Sequence, residues 1–542
     1  MDEEGLSLRF EVGKIVGGGV VWSTGNGYGH LAFFGSISGI EEGRVAVGLI
    51  LPRAGCVVET DGVAGRSGPG LTRLRALRSG IYGCFTRRGD ALFELCDAML
   101  CASGPVVSPV ELSLEPEFRR GHAMVYDALS AGRVDADRLR RVLVGALPEA
   151  RAGEPLMFGV DVSPLPRPDP RYVDGLSMVQ VRGSGGDRLL PGWPVSILVG
   201  LSWGASSWVD PLDARRITPG GDHTAVLLAQ AEGLLADLHA AGCLGPGAVA
   251  PLVMFDSGYP ATQIAYALAA RGAQVLGRVR ADRVFYFPAP PTGPGRGRPA
   301  RHGDRFECAD PATHPEPEVR VAAHAERYGR IEVAAWYHLH QALSRTGGWA
   351  GYPAGQALPV VEGTPIRVTV QRLGHKGAPK PMWLWHHAPP GTPIDVDLLW
   401  KGYLRRFDQE HFHRFAKVHL GLARARLLAA EAVDRWITLV IAGYAQLRVA
   451  APLVSDQPRP WQRATAPGRV PTPCRVRAGF RRLRADLGRL SGSCRSGGVK
   501  WGVAGPVRIG GGAGLWWYGL PLHCFGCRAG FLVAAGCAGV AA

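Results

Sequence analysis

The segment from Ala248 to Val279 constrains the fold more than any other stretch. An apolar run (AVAPLVMF, 248–255) ends in Asp256, a turn (SGYP, 257–260) follows, and Ala261 to about Arg271 carries helical periodicity. Gly272 stands where a helix ends on a left-handed residue, and Gln274–Val279 is apolar again. Two short buried strands joined through one helix form a parallel crossover unit, so all-helical and purely antiparallel folds are excluded. Leu156–Val162 and Val195–Leu201 read as further buried strands, the first bearing Asp161 and turning at Ser163-Pro164, and Ala225–Leu238 reads as a helix closed near Gly242. With 46% hydrophobic and 20% charged residues over 542 positions, the chain has ample apolar surface to fold.

The flanks read differently. Residues 71–150 contain short helical patterns at 91–100, 122–129 and 133–147, studded with Arg119, Arg120, Arg133, Arg138, Arg140 and Arg141; they form a small helical domain, either a DNA-contacting module or a plain packing layer. Residues 151–284 hold the α/β pattern. Residues 285–390 break it with a Pro/Gly/Arg loop and β-like pieces at 331–336, 366–370 and 382–385. Helical texture returns over 391–450, a basic segment spans 451–490, and the Gly-rich stretches 1–70 and 491–542 are expected to be poorly ordered. The 61 Lys and Arg against 46 Asp and Glu give +15, which favours a polyanionic partner. The acidic start, the eleven scattered cysteines and the interrupted apolar tail point to a cytoplasmic protein without a membrane span, nucleoid-associated where the polyanionic partner is DNA. The close pair Cys524 and Cys527 lacks a second pair for zinc.

The densest chemical signal lies between Tyr403 and Lys417. At about 100° per residue on a continuous helix, Tyr403, Arg406, Glu410 and Lys417 fall within an arc of about 60°. One face thus carries a carboxylate, two cations and a phenol. On the residues alone a solvated, ion-paired helix face is the simpler account. Asp408 falls well off that face, and His411 and His413 read as surface or core histidines, since hard cations favour oxygen donors.

These four residues match Y-x2-R-x3-E-x6-K, and in this the chain resembles the bacterial DDE transposases of the insertion-sequence group that carries that signature. GVDVSP around Asp161 and MFDSGYP around Asp256 fall where that group places its two aspartates. The separations, 256 minus 161 giving 95 and 410 minus 256 giving 154, leave room for the group's β-rich insertion. GWPVSILVGL, HGDRFECADPATHPEPE and APKPMWLWHH are similar in texture to a transposase family common in actinobacteria, the likeness running over about 75–485. The resemblance implies an RNase H-like core, a mixed sheet flanked by helices, interrupted by the insertion and preceded by the helical domain. It implies catalytic and metal-ligating Asp161, Asp256 and Glu410 around two Mg²⁺ ions, for which Mn²⁺ can substitute. Asp161 bridges both ions in that scheme. Tyr403, Arg406 and Lys417 hold DNA. Trp385, which shares a strand face with Trp383, would stack on a displaced base, although a Trp pair on a strand is more often core, and Arg301 (with Arg296, Arg298 and Arg305) would track the backbone or lie in a solvated loop.

The implied substrate is double-stranded DNA, the transposon's terminal inverted repeats and a target, handled by a homodimer. The activity is phosphodiester hydrolysis followed by strand transfer from the 3′-hydroxyl. Residues 1–70 and those beyond about 490 depart from the pattern; they are expected to be a misassigned start and a frameshifted end. A decayed or domesticated DNA-binding homologue is therefore the alternative. The stripe disfavours a nuclease specific for RNA–DNA hybrids.

Overall fold

The computed structural model describes residues 68–490, apart from 169–172, 174, 184–185, 205, 246, 291–299, 374–378, 459, 467 and 489. It also gives the backbone of four strands, β1 (Glu11–Val16), β2 (Gly19–Ser23), β3 (Phe33–Glu41) and β4 (Arg44–Leu49), which pair antiparallel in chain order as a separate unit. The expectations of disorder over the rest of 1–67 and over 491–542 lie outside the described residues.

The second unit begins with α1 (Pro69–Cys84), β5 (Phe85–Arg87), α2 (Gly89–Cys101), α3 (Ala123–Ala131), β6 (Arg133–Val134) and α4 (Ala136–Val144). Then come β7 (Met157–Pro166), β8 (Ser177–Gly183), β9 (Gly186–Leu201), β10 (Asp210–Arg216), α5 (His223–Ala240), β11 (Leu252–Phe255), α6 (Ala261–Ala269) and β12 (Gln274–Val279). The turn expected at Ser163-Pro164 is absent: β7 continues to Pro166, because Ser163 to Pro166 keep pairing with Gly192–Val195 of β9. The core strands run in the order β10-β9-β7-β11-β12. The first three form an antiparallel meander, and β11 and β12 add parallel to β7 through helix crossovers. The architecture is mixed α/β, a large mixed sheet flanked by helices, as an RNase H-like core requires.

The sheet does not stop at β12. The following strands are β13 (Val284–Tyr286), β14 (Arg305–Glu307), β15 (Val319–Ala325), β16 (Gly329–Ala335), β17 (Leu339–Gln341), β18 (Glu362–Val370) and β19 (Met382–His387). Of these, β19 pairs antiparallel with β12 and β18 with β19, so the β-rich segment extends the core sheet directly.

Four helices close the unit: α7 (Val396–Arg405), α8 (Phe407–Val418), α9 (Ala430–Ala450) and α10 (Pro473–Leu487). Helices α1 and α2 pack on α9, and α2 also on α10, so residues 71–150 form a layer of the same body. A buried ion network locks that layer. Arg78 grips Asp97 with both Nη atoms (2.8 and 3.0 Å), and Arg484 of α10 donates to the same carboxylate at 3.0 Å. Arg119 and Arg120 both pair with buried Glu94, and Arg140 pairs with Asp237 at 2.6 Å. Three of the six arginines that suggested DNA contact therefore serve packing. No described helix is long and apolar enough to cross a membrane.

Candidate active site

Strand register assembles the first half of the site. In the parallel pairing of β11 with β7, Leu252 aligns with Met157, Val253 with Phe158 and Met254 with Gly159. Each pair differs by 95 residues, the separation of Asp256 from Asp161. Carrying that register two residues further sets Asp256, just past the end of β11, level with Asp161. Side chains alternate faces along a strand, so both carboxylates stand on the face that Gly159 and Met254 share. Asp256 is fixed locally, its Oδ1 accepting from the Ser257 N–H at 2.7 Å.

Helix α8 brings the third carboxylate to the same face. It lies so close over β7 that a Cβ on Gly159 would sit 2.8 Å from Gln409 Oε1. A side chain there would have to push the Gln409 amide aside. The buried Gln409 amide donates to the Ile197 carbonyl of β9 at 2.9 Å, anchoring the helix at the residue before Glu410. Glu410 is exposed, and its charge is felt by both Asp161 and Arg406.

The continuous helix expected across Tyr403–Lys417 is interrupted. Arg406 lies between α7 and α8, where Arg406 N–H bonds Tyr403 O and Gln409 N–H bonds Arg406 O, a tightened 3₁₀-like turn. The stripe survives the break. Tyr403 is buried, with its hydroxyl pushed up to about 12 by burial, and its ring lies 6.0 Å from the Arg406 guanidinium carbon. Lys417 is partly buried; desolvation lowers its pKa while Asp161 opposes the shift. Arg406, expected to face DNA, is buried and turns inward instead. Its Nη2 donates to Asp161 Oδ1 at 3.2 Å and stands 3.9 Å from Asp256 Oδ2. Burial pushes the Asp161 carboxyl above the usual carboxylate range; Arg406 opposes this, and Asp256 and Glu410 reinforce it.

Sequence reasoning treated His413 as an ordinary surface or core histidine. It is buried, held neutral with its pKa pushed down to about 3 by desolvation, and its Nδ1 lies 3.8 Å from Asp161 Oδ2. Ser163 Oγ, Arg406 Nε and His413 Nε2 are buried without hydrogen-bond partners among the described residues, and Tyr259, its hydroxyl pKa pushed up by burial, feels Asp161 and interacts with Ser196. Ser163 shares the face of Asp161 by strand parity, and Tyr259 follows Asp256 by three residues, the only sequence signals that point to them. Asp408 pairs with Arg405 at 2.6 Å, away from the cluster, as its helical angle indicated.

Two expected DNA contacts fail to join the site. Trp385 is wholly buried in β19, its indole edge lying against Gly363 of the neighbouring strand, so no ring face is available to a base. Trp383, also buried, packs with Trp336 at 5.8 Å and Phe306 at 5.9 Å. Both rings fill the core, as a Trp pair on a strand more often does. Arg301 is exposed before β14 and takes no part in the interactions recorded for the carboxylate cluster; Arg296 and Arg298 lie outside the described residues. A cleft of about 1100 Å³ instead adjoins the Asp256 turn. Its walls include Arg278, Arg283, Tyr266, Trp349 and Tyr352, with Trp349 5.7 Å from Tyr266 and 5.6 Å from Tyr352, ring centre to ring centre.

Residues 80–342 match the family model described as DDE superfamily endonuclease. The match supports a DDE-type family and, with it, a nuclease or transposase function on DNA. It spans Asp161 and Asp256 and ends before the 403–417 stripe, so Glu410 rests on the geometry above. No curated protein matches the chain.

The donor set fits hard divalent cations: three carboxylates contribute oxygen alone, and Asp256 and Glu410 both act electrostatically on Asp161. As arranged, no three His, Cys, Asp or Glu among the described residues are grouped to hold a metal ion. The Arg406 guanidinium stands among these carboxylates.

Proposed function

We propose that this chain is a DDE-type transposase that hydrolyses phosphodiesters at the terminal repeats of its element and joins the freed 3′-hydroxyl to a target strand. The shared 95-residue offset of the β7–β11 register and of the two aspartates carries this reading, because it sets two carboxylates side by side beneath the helix that bears a third. Asp161, Asp256 and Glu410 would hold two Mg²⁺ or Mn²⁺ ions, which would supply activation of the attacking oxygen and stabilisation of the leaving one.

The protein's own groups do the rest. Gln409 fixes the Glu410 helix. Lys417, charged beside Asp161, receives a DNA phosphate, with Tyr403 backing Arg406. The aromatic cluster of Tyr266, Trp349 and Tyr352, next to Arg278, takes the base-stacking role that Trp385 cannot fill. Two DNA ends require two subunits, hence a homodimer.

The test is cleavage of duplex DNA carrying the element's own terminal repeats, with and without Mg²⁺, and with Glu410→Ala beside the parent protein. Metal-dependent nicking at the repeat boundary that disappears in the variant is expected. Binding of those repeats without cleavage would replace this reading by the DNA-binding homologue.

A further inference from the structure

Arg406 is poorly accommodated for a permanent partner. A guanidinium offers five donors, and a lasting buried pair with carboxylate is usually forked. Here Nη2 alone reaches Asp161 Oδ1 at 3.2 Å, Asp256 Oδ2 lies beyond hydrogen-bond reach at 3.9 Å, and Nε is buried with no partner among the described residues. Arg484 and Arg78 on Asp97 show how this fold satisfies an arginine it means to keep: three hydrogen bonds to one carboxylate. Arg406 also occupies the turn between α7 and α8, where the helical hydrogen-bond pattern tightens and the side chain can be re-aimed. The oxygens it faces belong to the two aspartates that would ligate a divalent cation.

We propose that Arg406 is an exchangeable counter-ion. Without metal it neutralises Asp161 and Asp256; when a divalent cation takes those oxygens, the guanidinium is displaced onto a DNA phosphate. Cation binding and phosphate capture are thereby coupled through one side chain, and by linkage DNA must tighten the cation by the factor that the cation tightens DNA. This inference rests on the proposed function, since it needs the aspartates to be metal ligands.

The experiment is Mn²⁺ binding followed by calorimetry on the full chain, with and without a duplex carrying the terminal repeat. Four proteins are compared: parent, Arg406→Gln, Arg406→Lys and Asp161→Asn. Removing the competing cation should tighten Mn²⁺ about tenfold in Arg406→Gln without DNA, inside the roughly 5–150-fold range of coupled sites. The duplex should tighten Mn²⁺ on the parent about tenfold more than on Arg406→Gln. Arg406→Lys, which keeps a charge for the fold but loses reach, should shift both quantities the same way by less; it decides the matter should the glutamine variant fail to fold. Equal or weaker Mn²⁺ binding in the folded Arg406 variants, or an equal gain from DNA in parent and variant, overturns the exchange. Absence in the parent of any Mn²⁺ binding that Asp161→Asn abolishes refutes the metal-site reading itself, and the exchange falls with it.

Discussion

Replacing Gly159 with alanine tests how the site is held together without touching any charge. The new methyl would lie 2.8 Å from Gln409 Oε1 and 3.3 Å from Leu201 Cδ1, against an ordinary contact of 3.4 Å or more. Something must therefore move by about 0.6 Å, and both neighbours are buried. The yielding group is the Gln409 amide, whose donation to Ile197 O at 2.9 Å anchors α8 one residue before Glu410. Overpacking of this kind costs about 1–3 kcal/mol, and straining a buried amide bond adds up to about 1–3 kcal/mol. The reduced entropy of an unfolded alanine returns about 0.4–1 kcal/mol. A net loss of about 2 kcal/mol is expected, together with a fall in metal-dependent cleavage of about 10–100-fold as Glu410 is misplaced.

Urea denaturation and the nicking assay read the two effects separately. Gly104→Ala, where nothing lies within 4 Å, is the control and should change neither. Gln409→Ala removes the group that the methyl strikes, so the cost of Gly159→Ala should shrink by about 1 kcal/mol or more in that background. Full additivity of the two substitutions, or a Gly159→Ala protein as stable and active as the control, would show that the contact does not set the helix position.

Three further outcomes are expected. Burial, reinforced by Asp256 and Glu410, outweighs Arg406 in raising the Asp161 pKa, so the ionised carboxylate costs folding free energy above that pKa and the cost vanishes as pH falls toward about 4; metal-free Asp161→Asn should therefore melt at or above the parent temperature at pH 7.5, the gap should close on acidification, and cleavage should be lost. Glu410→Gln should reduce nicking by at least about 10²-fold, whereas Asp408→Asn, which only breaks the pair with Arg405, should leave the rate within a few-fold and show itself mainly in a melting curve. Trp349→Ala should weaken binding of a single-stranded repeat end by about 1–3 kcal/mol in a fluorescence titration while sparing a blunt duplex; equal losses on both ligands would remove the cleft from the base-stacking role.

How far the sequence carried depended on whether a feature was local. Gln274–Val279 was read at its observed limits because an apolar run bounded by turn residues is a local signal. Asp161 and Asp256 were legible as strand-borne carboxylates, yet their adjacency is a matter of register, which no single run of residues contains. The helix stripe was legible in its spacing but not in its orientation. Arg406 faces carboxylate and the helix breaks at that residue, neither of which the residue spacing contains. Trp385 failed for the opposite reason: strand parity put it on one face with Trp383, but both faces of that strand are covered. The packing role of Arg119 and Arg120 was likewise not legible, since pairing them with Glu94 requires a fold, not a pattern.

The unsatisfied groups of this fold are distributed unevenly, and their distribution is itself an argument. Where Arg78, Asp97 and Arg484 meet, both carboxylate oxygens accept from guanidinium donors and the arrangement serves packing. Around Asp161 the opposite holds: a carboxyl raised by burial, a lysine lowered by it, and buried Ser163, Arg406 and His413 atoms without hydrogen-bond partners among the described residues. A chain that satisfies its buried polar groups at one place and leaves them unsatisfied at another stores destabilisation where ligands of both signs can relieve it. Divalent cations would match the carboxylates, and the phosphates that accompany them would match Lys417 and the displaced Arg406. Neither ligand alone satisfies the whole cluster, which is why metal and DNA are expected to bind this face together.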